Sequence, residues 1–122
     1  WLDPLVIKET RIDAIYGLNN LRELALLASG DINRPVFILY GERDEIIPVR
    51  ATCQMLHTLP HLPPPRWRMA LYPEGYHMLT RDLQAKVVYE DMLAWLADQQ
   101  TSFPSGQEVD LQAPRLRAFC GE

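Results

Sequence analysis

The chain has 122 residues, 48% of them hydrophobic and 23% charged, with a net charge of −4 and an isoelectric point near 5.3. That length and balance fit one ordinary globular domain. The acidity excludes nucleic acid as the expected partner, because phosphate binding needs a basic surface. No apolar run approaches the roughly 20 residues of a membrane-spanning helix, so no transmembrane segment is expected. The first residue is Trp1, so the lack of a leader pattern leaves the compartment unknown, with the cytoplasm as default. Cys53 and Cys120 lack the spacing of a metal or redox motif, and two unpaired thiols are expected.

Asp3-Pro4-Leu5-Val6 reads as a turn-like entry. From Glu9 to Ala28, apolar residues recur at three and four, which predicts an amphipathic packing helix interrupted at Gly17. Ser29-Gly30-Asp31 ends it. Pro35 to Tyr40 is a short apolar run without polar alternation, predicting a strand buried on both faces, as in a parallel sheet covered by helices. Gly41 allows a sharp exit, and Glu42, Arg43 and Asp44 then fall at the strand's carboxyl end, where open α/β sheets collect ligands and catalytic groups.

Pro48 suits the first turn of a helix running from Val49 to Leu59 and closed by Pro60. His57 and His61 stand at a helical metal-pair spacing, but Pro60 lies between them and no carboxylate completes a ligand set, so no metal or other cofactor is expected. Pro63-Pro64-Pro65 is a stiff spacer. Trp67 to Tyr72 predicts a second strand, followed by Pro73, Glu74, Gly75, Tyr76 and His77. A last helix from Leu83 to Asp98 should cover one face of the sheet through Val87, Val88, Met92, Leu93, Trp95 and Leu96. Residues 99–122 lose periodicity and predict a partly disordered tail.

Two neighbouring parallel strands would bring the loop holding Asp44 beside the loop holding His77. An acid that can orient an imidazole and an imidazole that can shuttle a proton are two members of a nucleophile–His–acid triad. Glu42 and Glu45 compete for the acid role. Glu74 and Tyr76 are loop or pocket residues.

The order strand, Gly41-x-x-Asp44, Pro48, strand, Gly75-x-His77 resembles the C-terminal part of an α/β-hydrolase, closest to the serine aminopeptidase S33, monoacylglycerol lipase and lysophospholipase-like group. The resemblance covers roughly residues 1 to 98. It implies an α/β fold made of the last parallel strands with flanking helices, an incomplete domain. Residues 1–30 would be the end of the cap region and a connecting helix, residues 31–98 the core part with the acid and histidine loops, and residues 99–122 the tail. It favours Asp44 as the acid, since the family's acid stands three residues after the glycine, with His77 as the base.

The resemblance also implies a Ser-His-Asp carboxylic ester hydrolase acting on a small lipid-like or ester substrate. No G-x-S-x-G occurs in the chain, whose serines are Ser29, Ser102 and Ser105, and no oxyanion-hole motif of the HG type occurs either. The nucleophile would then come from the rest of the hydrolase domain or from a partner chain, and the 122 residues alone would be inactive. Three other readings remain: an epoxide hydrolase or dehalogenase on the same fold, with an aspartate nucleophile; a non-catalytic interaction module; and an unrelated α/β binding domain in which Asp44 and His77 are placed by coincidence.

Overall fold

The computed structural model describes residues 12–59, 67–110 and 112–121. Asp3-Pro4-Leu5-Val6, Pro60, His61 and the Pro63-Pro64-Pro65 spacer lie outside them. In chain order the elements are α1 (Ile12–Ser29), β1 (Val36–Gly41), α2 (Val49–Thr58), β2 (Trp67–Tyr72), a single 3₁₀ turn (Leu79–Arg81), α3 (Ala85–Ala97), β3 (Glu108–Val109) and α4 (Pro114–Cys120).

The apolar runs do form strands. β1 and β2 pair in parallel from Val36 opposite Trp67 to Gly41 opposite Tyr72, so their carboxyl ends finish level. β3 adds antiparallel to the other side of β2, with Met69 opposite Val109. β2 is thus the middle strand and is buried almost throughout. β1, at the edge of the described sheet, is only half-buried over its first four residues, less than the sequence predicts for a strand covered on both faces.

Side chains alternate across the sheet, as a pleated strand requires. Tyr40, Trp67, Met69 and Leu71 meet α2 and α4 on one face through Leu56 and Leu116, all 6% exposed or less. Phe37, Leu39, Ala70 and Tyr72 meet α3 on the other face through Val88, Met92 and Trp95. The mixed helix and strand content and the parallel pair make the fold α/β.

Several expectations are corrected. Gly17 does not interrupt α1, which passes through it. The leucines of α1 do not form a buried face: Leu18, Leu21, Leu24 and Leu27 are 61–74% exposed, and the helix meets α2 through Arg22, which donates to Gln54 at 2.8 Å, and through the Ser29–Thr58 hydroxyl contact. Pro48 is the residue before the first turn of α2, in extended conformation, and α2 ends at Thr58. The helix expected from Leu83 begins at Ala85 and is not the last, because the 3₁₀ turn takes up the chain first and leaves Leu83 99% exposed.

The largest corrections concern the thiols and the tail. Cys53 and Cys120 are not free: they form a disulfide between α2 and α4, with Cα atoms 5.9 Å apart. The described residues beyond Asp98 include β3 and α4 rather than irregular chain. Arg68 holds this region to β2, with a two-pronged pair to Glu108 at 2.6 and 2.7 Å and a bond to the Gln99 carbonyl at 2.7 Å, its guanidinium lying 4.0 Å from the centre of the Phe103 ring. Disulfides such as Cys53–Cys120 persist in oxidising compartments and are rare in reducing ones. Among the described residues no helix is long and apolar enough to cross a membrane.

Candidate active site

Asp44 and His77 meet just beyond the level ends of β1 and β2. The imidazole Nδ1–H donates to Asp44 Oδ2 at 3.0 Å. The other carboxylate oxygen, Oδ1, accepts the backbone N–H groups of Ile46 at 2.7 Å and Ile47 at 3.0 Å, a turn in which the aspartate side chain replaces a backbone acceptor. Each oxygen therefore has a fixed job, and the carboxylate cannot rotate without losing bonds. Its side chain is 6% exposed while the imidazole is 40% exposed, so the carboxylate is sheltered and the imidazole faces outward.

Burial is the strongest single influence on the Asp44 carboxyl and pushes its pKa up. The His77 hydrogen bond, the Ile47 and Ile46 donors and the His77 charge together outweigh it and hold the pKa below the usual carboxylate value. Asp44 is thus an anion at neutral pH. That anion favours the tautomer with the proton on Nδ1 and leaves Nε2 as the basic nitrogen.

What brings the two loops together is a contact between glycines. A Cβ at Gly41 would lie 2.3 Å from the Gly75 carbonyl oxygen and 2.9 Å from that of Tyr76, and a Cβ at Gly75 would lie 3.1 Å from the Gly41 Cα. Only two residues without side chains allow this approach. The loops are then bonded backbone to backbone: Glu42 N–H to the Tyr72 carbonyl at 2.9 Å, and Arg43 N–H to the Gly75 carbonyl at 3.0 Å. Asp82 steadies the histidine loop from the other side by accepting the Tyr76 N–H at 2.8 Å.

Of the other charged candidates, Glu42 does not point at the imidazole: it pairs with Arg115 of α4 at 3.3 Å. Glu74 pairs with Arg43 at 2.5 Å, in a pair about half-exposed on both sides and so worth little. Tyr76 lies under the same guanidinium, 5.9 Å from its ring centre. Ser29 bonds the Leu26 carbonyl, and Ser105 bonds Asp91 at 2.5 Å within the fold, so both are committed elsewhere. Among the described residues no group of three or more His, Cys, Asp or Glu is placed to hold a metal ion.

Sequence reasoning singled out Asp44 and His77, which the structure brings together, but missed three of the contacts that support them. Asp82 and Arg115 stand in no motif. The Gly41–Gly75 approach has a signal, a glycine at the end of β1 and another three residues beyond β2, of which only Gly41 is read from the sequence, as a sharp exit.

The parallel pair of strands with flanking helices is an α/β arrangement, and Asp44 and His77 meet at one end of it. The family model described as serine aminopeptidase, S33, matches residues 2–84, and the chain belongs to this family of α/β-hydrolases. No curated protein and no solved structure matches the chain.

Proposed function

We propose that Asp44 and His77 are the acid and base of a Ser-His-Asp triad in a carboxylic ester hydrolase of the lysophospholipase and monoacylglycerol lipase-like kind. The observation that carries the reading is the 3.0 Å Nδ1–carboxylate bond at the ends of adjacent parallel strands. In this reading His77 Nε2 takes the proton from a serine hydroxyl as the oxygen attacks the ester carbonyl, and returns it to the leaving alcohol; a water then repeats the cycle to free the acid. Asp44 keeps its charge throughout and stabilises the imidazolium. The serine and the oxyanion donors lie outside the 122 residues, in the rest of the hydrolase domain, so the chain by itself is inactive. Residues 1–30 serve as the end of the cap and its connecting helix.

An apolar rim supports a lipid-like ester over a polar one. Ile46, Ile47, Tyr76 and Met78 flank the pair on the same two loops and are 41–66% exposed. The test is hydrolysis of a short-chain p-nitrophenyl ester by the full-length parent, its His77→Ala variant and this chain. Activity present in the parent, lost in the variant and absent from the chain supports the reading. An active His77→Ala parent sinks it and favours the interaction module.

A further inference from the structure

The acid loop is gripped on both shoulders by α4. On its leading side, Arg115 reaches across from α4 and bonds three groups: the Glu42 carboxylate at 3.3–3.4 Å, the Leu71 carbonyl at 2.9 Å and the Gln107 side-chain oxygen at 2.6 Å. Glu42 stands between Gly41 and the loop that ends in Asp44. On the trailing side, the Tyr40 hydroxyl donates to the Ile47 carbonyl at 2.6 Å, and the Tyr40 ring packs against the Phe119 ring of α4, edge to face, with centres 5.3 Å apart. Asp44 sits between these two holds.

α4 has seven residues, too few to be helical unaided. It is held by burial of Leu116, 2% exposed, and by the bridge from Cys120 to Cys53. Cys53 lies in α2, the helix that the acid loop feeds directly. Loop, α2, bridge and α4 thus form a closed circuit around Asp44, and the bridge is the link that chemistry can open.

We propose that α4 is a brace that positions Asp44 against His77, with Arg115 as its positioning residue and the Cys53–Cys120 disulfide as a redox-dependent lock on it. A dithiol reductant opens the lock: two electrons and two protons convert the bridge to two thiols while the dithiol closes to its own disulfide. The freed end of α4 then loosens its hold on Glu42 and Tyr40. As a control of the Asp44–His77 contact this stands alone; as a control of hydrolysis it rests on the triad reading above.

The test is NMR of the 122-residue chain, oxidised, treated with dithiothreitol, and as the Arg115→Gln and Arg115→Lys variants. Three signals are followed: the His77 Nδ1–H, the amides of residues 42–47, and the pH titration of the Asp44 carboxyl carbon. The α3 amides of Val88 and Asp91 report the rest of the fold. Reduction and Arg115→Gln should each remove the Nδ1–H signal and move the Asp44 titration up towards the usual carboxylate value, with α3 unchanged. Arg115→Lys, which keeps a charge near Glu42, should restore part of both.

The proposal is overturned if the acid-loop signals are indifferent to reduction and to Arg115→Gln. It is equally overturned if α3 collapses together with the loop, since the bridge would then be a general staple. In the parent enzyme, Arg115→Gln should lower kcat, by up to about 100-fold for a misplacement of an ångström, more than it raises KM. If hydrolysis by the parent does not depend on His77, the triad reading fails while the NMR result still decides the brace.

Discussion

Gly41→Ala is the sharpest probe of how the site is assembled. The added methyl would lie 2.3 Å from the Gly75 oxygen, 2.5 Å from the Gly75 carbonyl carbon and 2.9 Å from the Tyr76 oxygen, all backbone atoms that no rotamer change can move. Backing off to an ordinary contact at 3.4 Å requires about 1.1 Å of separation between the two loops. The Asp44–His77 bond, 3.0 Å long, spans the same gap, and an opening of that size takes it beyond hydrogen-bonding distance. Overpacking of this kind costs about 1–3 kcal/mol, and loss of the Arg43 N–H to Gly75 carbonyl bond adds about 1 kcal/mol. A destabilisation of about 2–4 kcal/mol is expected, read as a fall in the urea midpoint at unchanged slope. The His77 Nδ1–H signal should vanish in the same variant. Stability within about 0.5 kcal/mol of the parent sequence, with that signal intact, would refute the argument that backbone contact assembles the pair.

Gly17→Ala should act in the opposite direction, since its Cβ would meet nothing within 4 Å in the middle of α1; a gain of about 0.5–1 kcal/mol is expected in the same urea assay. Asp44 titrates below its unfolded value of about 3.9. Between the two values the unfolded chain binds more protons, so the stability Asp44 contributes is complete above pH 4 or so and is lost as the pH falls through the native value. Urea midpoints measured down the acid range should show this loss, and the Asp44→Asn variant should lack that component; an identical acid slope in both would count against it. Asp91→Ala removes a fully buried acceptor from the Tyr72 hydroxyl at 2.7 Å and the Ser105 N–H at 2.9 Å. Each stranded donor costs about 1–3 kcal/mol, so a loss of less than about 1 kcal/mol in total would contradict the role given to this cluster.

The parts that were legible in the sequence share one property: their signal is local. β2 is the run Trp67–Tyr72 to the residue, and β1 differs from its run by one position at each end, because a short, mostly apolar stretch closed off by proline or glycine is too short for a helix and of strand composition. Asp44 and His77 could be named because each follows such a stretch at a short, fixed distance. β3 has two residues, too few to show alternation, and α4 has seven, in which Leu116 and Phe119 are the large apolar side chains. Neither length carries a readable period. The disulfide partners are separated by 67 positions, and no spacing rule links them.

That difference has a physical origin. Chemistry at the site needs particular residue types beside a strand end, and chain connectivity writes these close together. Holding the site needs groups from anywhere that can reach it. Arg115 acts on Glu42 across 73 positions, and Gly75 acts on Gly41 by having no side chain at all. One leaves a lone arginine in an aperiodic stretch, and the other leaves a glycine that looks like a turn. A substitution in residues 112–121 is therefore best judged by what it does to the loop from Gly41 to Ile47, and Phe119→Ala should disturb the Ile47 amide signal through Tyr40 even though Phe119 and Ile47 are 72 positions apart in the chain.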